Sequence, residues 1–521
     1  MTRLALDRER SVVRYALERQ AEADASGTCV ILADFTSWTW GEALTVGYRA
    51  ANVLRDRGVT RGQPVLIMLP NGADFLASWW GISFLGGVIV PVNTAYRGDM
   101  LRHLCVDSGA RLMITTADGA AKLAEVGVEI DVVDPHALRD GQADPPALDA
   151  PIEPWDLASV VYTSGTTGPA KGVVGCHHMA FLGGWGGYGD QFRSGDLLLL
   201  DLPFFHISAQ LPALAAWSTG IPVAIREYFV GSEYLELTRK LGATLGLLLG
   251  TMAAYLESTP ADPHDADNPL RYVIAAPLPA DPYAFMHRFG IEEMSSMYGM
   301  SETPLITKAT LRLDDEPRKS PRSVGTARDG LELRLVDEHD IEVPDGTAGE
   351  AIIRVDGPWE MTPGYLNRPE DSLRLWRNGW LHTGDMLVRD GTGEHRFLDR
   401  AKDSLRRRGE NISSFQVEND VRAHPDVADV ACVAAPGALG DDEVKIFVVP
   451  REGTTIDPLE LTTFLVPRMP YFTVPRYIEV IDELPKTQTM KVQKHVLRDR
   501  GNSASTWDRE VDGGIKLRRG D

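Results

Sequence analysis

The chain has 521 residues, with 74 acidic against 53 basic side chains and a formal net charge of −21. Such an acid excess excludes nucleic acid or anionic membrane as the main partner, yet leaves room for a local phosphate site built from a few placed donors. With 43% hydrophobic and 24% charged residues, the composition is that of an ordinary globular protein, long enough for two or more domains.

The N-terminus, MTRLALDRER, is charged and lacks the apolar core of a secretory signal, and no apolar run reaches the ~18–20 residues of a membrane span. The cytoplasm is therefore the expected location. The four cysteines (Cys29, Cys105, Cys176, Cys432) are scattered, without a C-x-x-C pair or a His/Cys cluster, and read as reduced thiols without structural zinc.

Helical and strand patterns then alternate: residues 45–57 helical, 64–69 strand, 71–85 helical, 87–92 strand. The apolar runs at 65–69 and 88–90 suit strands buried on both faces, so the expected architecture is α/β. The next strand, 157–163, runs into VYTSGTTGPAKGVV (161–174), the most informative stretch of the chain. Gly165, Gly168 and Gly172 let backbone N–H groups approach a ligand; Thr163, Ser164, Thr166 and Thr167 add hydroxyls, and Lys171 adds one cation. A polyphosphate needs that combination of many short-range donors, little bulk and one counter-charge. The loop is not a Walker A loop, because Lys171 is followed by Gly172 and no G-x-x-x-x-G-K-[ST] spacing exists. The nearby GWGGYG (184–189) satisfies G-x-G-x-x-G only formally, since it follows the phosphate loop and not a strand opening a βαβ unit. His177 and His178 have no third ligand nearby and do not read as a metal pair.

Further along come PFFH (203–206), AAPL (275–278), SMYGMSET (296–303) and GWLHTGD (379–385), then Asp399-Arg400. Tyr298 offers an aromatic face, Glu302 an oxygen ligand for a hard cation, and Asp385 an acceptor-only carboxylate suited to a vicinal diol. Near Asp399 the composition turns charged. A compact α+β pattern follows: 417–424 helical, 427–435 strand, 443–449 strand, 459–466 helical. The segment PKTQTMK ends at Lys491, and 501–521 reads as a polar, flexible tail.

From about Arg14 to Leu497 this set of motifs resembles the adenylate-forming superfamily, which includes acyl- and aryl-CoA synthetases, luciferases and peptide-synthetase adenylation domains. Its pattern is most similar to acyl-CoA ligases of the carnitine/crotonobetaine type. The resemblance implies a large multi-layered α/β N-terminal domain (1–399), a hinge (400–402, with Lys402 as pivot), a small mobile α+β C-terminal domain (403–500) and the tail. It implies a phosphate loop at 163–168 with Lys171, Ala276, Tyr298 and Gly299 against adenine, Ser301 near the α-phosphate, Glu302 on Mg²⁺, and Asp385 and Arg400 on ribose or phosphate. Lys491 would be the catalytic cation of the first step, with His206 beside the acid. The acid pocket expected is His206, Ser208, Gln210, Thr251 and Ala275. Their short side chains suggest a modest-sized, partly polar acid.

The implied reaction is ATP- and Mg²⁺-dependent formation of acyl-AMP and pyrophosphate, followed by transfer to CoA. Two departures bear on the acceptor: Arg408 stands where relatives carry glycine before Glu-Asn-Ile, and Met490 replaces the glycine before the lysine. The sequence leaves open a separate carrier protein, an amine, or nitrite activation for diazotisation as alternatives to CoA, and also a homodimer. A ligand-sensing relative without catalysis is disfavoured, because Lys171, Glu302, Asp385, Arg400 and Lys491 are all present.

Overall fold

The computed structural model describes residues 6–163, 170–315, 323–400, 405–407, 410–412, 414–436, 442–469, 471, 473–486 and 492–517. By compactness the chain divides into 1–333 with 353–382, and 334–352 with 383–521. That division differs from the expected boundary. Asp399 lies inside the strand His395–Arg400, and the later segment of its compact unit begins at Thr383.

Two sheets organise the first unit. One has six strands in the order Asp131–Val133, Leu112–Thr115, Pro64–Met68, Val88–Pro91, Leu157–Thr163, Lys171–Cys176, parallel except for the last pair. Leu66, Ile67 and Val90 are fully buried, as continuous apolar strands covered on both faces must be. The other sheet has nine strands: Thr326–Ala327, Thr303–Arg312, Glu293–Met300, Tyr272–Ala276, Leu245–Leu249, Leu198–Leu200, Val223–Ile225, Thr28–Ile31, Ser37–Thr39. Its run from Glu293–Met300 to Thr28–Ile31 is parallel. The expected α/β class is what the structure has.

The helix expected at 45–57 is Trp40–Asp56, starting earlier because Thr39 and Glu42 form a reciprocal capping box. Helix Ala73–Phe84 is apolar nearly all round and buried, with Phe75 and Trp79 against Phe204, and Trp79 and Trp80 against Trp217. The glycines of 184–189 fall in helix His177–Tyr188 and at its C-cap, which confirms that they are not a dinucleotide fingerprint. They serve close packing: a Cβ at 184 would collide with the carbonyl of Leu211 in the neighbouring helix, and one at 186 with the side chain of Leu305.

In the second unit, Val427–Pro436, Asp442–Pro450, Tyr477–Val480 and Trp507–Asp508 form a four-stranded sheet. Helices Ser414–Arg422 and Pro458–Leu465 contribute Val417, Val421, Leu461 and Leu465 to its core. The expected flexible tail is corrected here. Residues 507–508 pair with 477–478, Arg509 is fully buried, and Thr506 donates to Glu479, which pairs with Lys445 at 2.7 Å in the interior. Buried charge needs such partners, and the polar tail supplies them.

Candidate active site

The strands on either side of the phosphate loop are held in register, Thr163 opposite Lys171, by the antiparallel pairing of Leu157–Thr163 with Lys171–Cys176. Ser164, Gly165, Thr166, Thr167 and Gly168 lie outside the described residues. The base of the loop is gripped by helix Gly98–Asp107: His103 Nε2 donates to the Ala170 carbonyl at 2.7 Å, and the Tyr162 hydroxyl donates to Asp107 at 2.8 Å. Burial, reinforced by the Asp107 carboxylate, pushes the Tyr162 phenol well above its ordinary range.

Lys171 forms an ion pair with Asp371 at 3.1 Å, and its ammonium lies 5.1 Å from the centre of the Tyr365 ring. Partial burial works to raise the Asp371 carboxyl, but hydrogen bonds from Lys171 and Arg374 outweigh it and hold the group below the usual range. The Tyr365 hydroxyl in turn donates to Glu302 Oε1. A strip of backbone joins these groups. Val174 N–H donates to the Gly364 carbonyl, Leu366 N–H to the Gly172 carbonyl, and Thr362 N–H to the Glu302 carbonyl at 2.8 Å. Tyr365, Asp371 and Thr362 were missed by sequence reasoning. The signal was faint: a Gly-Tyr pair whose glycine has φ +145°, shortly before a helix with Pro369 at its first position.

Tyr298, 6% exposed, and Gly299 end the strand Glu293–Met300, which pairs back on Thr303–Arg312. Met300 faces Thr303, so Ser301 and Glu302 are the two corner residues of a tight hairpin. Gly299 is required because a Cβ there would collide with the Pro304 carbonyl. Four neighbouring parallel strands release the expected ligand residues at their carboxyl ends: Tyr298, then Ala275 and Ala276, then Thr251 just beyond Leu249, then the turn to His206 beyond Leu200. The carboxyl edge of parallel strands is where open α/β sheets bind ligands.

His206 is the residue that precedes helix Ile207–Thr219, with its ring 4.7 Å from that of Phe205; Ser208, the helix's second residue, is half-buried. Gln210 lies in the same helix. It is 3% exposed and its Nε2 donates to the Phe204 carbonyl at 2.6 Å, so the amide also braces the turn. His177 and His178 are buried at the head of their helix. Burial drives the His177 imidazole down to about 4.

In the second unit, Asp385 is 5% exposed and sits opposite Arg400 in the antiparallel pairing of Leu381–Arg389 with His395–Arg400. Its approach is fixed by Thr383, whose hydroxyl donates to the Ala351 carbonyl and accepts from Asp385 N–H, and by Gly384 N–H donating to Glu350. Lys402, Arg408, Met490 and Lys491 lie outside the described residues.

Residues 17–366 match the family model described as "AMP-binding enzyme", and 416–491 match "AMP-binding enzyme C-terminal domain". The chain belongs to the AMP-binding enzyme family. It is an adenylate-forming ligase of the acid–CoA type that uses ATP. The crotonobetaine/carnitine–CoA ligase of Citrobacter koseri is 30% identical over 477 residues, covering 86% of this chain and 91% of the relative. Among solved structures, an anthranilate CoA ligase in complex with anthranoyl-AMP has a TM-score of 0.83 at 23% identity, over 94% of this chain and 97% of its own. The o-succinylbenzoate coenzyme A synthetase of Bacillus subtilis with ATP and magnesium has a TM-score of 0.82 at 24% identity, over 93% and 99%. At these identities the two structures bear on fold alone.

Among the described residues, no helix of this AMP-binding enzyme is long and apolar enough to cross a membrane. No cluster of three metal-ligating side chains occurs among them either. A single buried carboxylate such as Glu302 suits Mg²⁺ nonetheless, because that ion is ordinarily held by one or two carboxylates together with substrate phosphates and waters.

Proposed function

We propose that this enzyme activates a modest-sized, partly polar carboxylic acid as its acyl-adenylate and transfers the acyl group to CoA. The observation that carries the reading is the release of Tyr298, Ala276, Thr251 and His206 at the carboxyl ends of four adjacent parallel strands. The Tyr365–Glu302 and Lys171–Asp371 contacts meet at strand Lys171–Cys176, which follows the Gly-rich segment in sequence. In this reading Tyr298, Gly299 and Ala276 pack against adenine. Thr163, Ser164, Gly165, Thr166, Thr167, Gly168 and Lys171 cradle the phosphates, and Ser301 meets the α-phosphate. Glu302 holds Mg²⁺, which neutralises phosphate charge when bound. Asp385 and Arg400 take the ribose hydroxyls and a neighbouring phosphate. Lys491 stabilises charge building between the attacking carboxylate and the α-phosphate, and pyrophosphate leaves. A pivot at Lys402 lets 403–500 serve the second half-reaction after the first.

His206, Ser208, Thr251 and Ala275 line the acid side, with Gln210 bracing it from behind. The name of the Citrobacter koseri relative, crotonobetaine/carnitine–CoA ligase, describes acids of this size with a polar group, which supports the substrate class. Arg408 and Met490 are the observation behind a second reading, in which the acceptor is a carrier protein, an amine or nitrite-derived. The test is pyrophosphate exchange across a panel containing those acids, followed by product mass spectrometry with and without CoA. A CoA thioester upholds the proposal. Adenylate accumulating in the presence of CoA, or a nitrogen-linked product, overturns the acceptor; no acid-dependent exchange overturns the whole.

A further inference from the structure

We infer that Asn71 is a positioning residue for the acid side of the site, an inference that rests on the reading of His206 given above. Asn71 lies at the carboxyl end of Pro64–Met68 in the six-stranded sheet, yet its carboxamide is spent on the other sheet. Nδ2 donates to the Leu202 carbonyl at 2.7 Å and to the Arg226 carbonyl at 2.9 Å, while Oδ1 accepts from Phe204 N–H at 2.8 Å. Leu202 follows strand Leu198–Leu200, and Arg226 follows its neighbour Val223–Ile225; Arg226 N–H also donates to the Leu200 carbonyl at 2.8 Å. One amide therefore ties together the carboxyl ends of three strands from two sheets, at the turn that leads into His206.

The turn is clamped at two further points. The Phe204 ring, fully buried, stacks on Phe75 at 5.3 Å and meets Trp79 at 5.6 Å, both from the helix that follows Asn71. Gln210 holds the Phe204 carbonyl. Hydrophobic packing fixes the depth of Phe204 but not the rotation of its peptide planes; only hydrogen bonds to both faces of the turn do that. Asn71 supplies two donors and one acceptor in the one arrangement that the Leu202 carbonyl, the Arg226 carbonyl and the Phe204 N–H require. Aspartate has the same shape but no donor, and would turn a carboxylate oxygen toward two carbonyls.

The test compares wild type with Asn71→Asp and, should that variant not fold, Asn71→Ser, all as full-length chains. Hydrogen exchange read by mass spectrometry should show the amides of Leu202 and 204–206 exchanging ~10-fold faster or more, as expected when buried hydrogen bonds worth about 1.4 kcal/mol are lost locally. Acid-dependent pyrophosphate exchange, with crotonobetaine, anthranilate and o-succinylbenzoate as probes, should show the KM for acid raised ~10-fold while the KM for ATP moves less than about twofold. Combining Asn71→Asp with His206→Ala should raise the acid KM no further than the larger single effect, since both act through one turn. Unchanged exchange at those amides, or equal rises in both KM values, overturns the inference. Wild type using none of the three acids would count against the proposed substrate class, and the hydrogen-exchange result would then decide on Asn71 alone.

Discussion

The hydroxyl of Tyr365 donates a 2.6 Å hydrogen bond to Oε1 of Glu302 across 63 positions of chain. A donor so placed orients a nearly buried carboxylate while leaving its remaining acceptor capacity for a cation. Tyr365→Phe removes that donor, and a hydrogen bond to a charged group is worth about 1.5–3 kcal/mol. The Mg²⁺ concentration for half-maximal pyrophosphate exchange should rise ~10-fold. Unaltered magnesium dependence would separate Tyr365 from the metal site.

Lys171 is paired with Asp371, and a phosphate would have to compete with that carboxylate for the ammonium. The pair is partly exposed, so the competition is worth at most about 1 kcal/mol. Asp371→Asn should therefore lower the KM for ATP by about two- to fivefold, whereas Lys171→Ala should raise it. A KM for ATP that rises in Asp371→Asn would show that Asp371 aims the lysine instead of holding it back.

Lys491→Ala should cut adenylate formation by ~10²–10³, the price of removing one preorganised charge worth about 3–4 kcal/mol. Pyrophosphate exchange reads this directly, and near-wild-type exchange would remove Lys491 from the first half-reaction.

Asp201, just before the His206 turn, is 3% exposed, and burial lifts its carboxyl to about 7 against the opposing influence of its own backbone N–H and of Arg226. The buried phenols of Tyr188 and Tyr234 also face it. Unfolded, the group loses its proton near 3.8, while the folded protein keeps it up to about 7. Its contribution to stability is thus complete below the unfolded value and is lost as pH rises to about 7. Asp201→Asn mimics the protonated form, so its Tm relative to wild type should climb between pH 5 and pH 8. Parallel Tm curves for the two proteins would refute this.

Glu479 is fully buried, taking hydrogen bonds from Lys445 and Thr506 and pairing with Arg500. Glu479→Gln leaves the Lys445 ammonium buried beside a neutral amide, and breaking such a pair costs on the order of 3–5 kcal/mol. Urea unfolding should show an early transition of the small unit. Deletion of 501–521 should do the same, because it removes Thr506.

Local signals were legible in the sequence: the apolar runs became buried strands, Lys171 stood out through the composition of its loop, and Tyr298 and Glu302 through the resemblance to the adenylate-forming superfamily. What stayed hidden was long-range. Nothing near Asn71 announces a bond to Leu202, and nothing near Tyr365 announces Glu302, because such contacts depend on strand order. The tail misled for a related reason. Its polar residues resemble those of a solvated end, and only the buried Lys445–Glu479 pair explains why Thr506 must be there.

A short hairpin with a register shift beside Gly299 joins Tyr298 to Glu302: Ser301 and Glu302 form its corner and Gly299 abuts the Pro304 carbonyl. A residue inserted at the corner would change the spacing of the ring and the carboxylate at once. His206, Thr251 and Ala275, proposed for the acid, sit beyond three separate strand ends, so each can be replaced without changing the other two. Descendants of this chain can thus diversify their acids one position at a time, whereas the ring and carboxylate proposed for the nucleotide are inherited together or lost together.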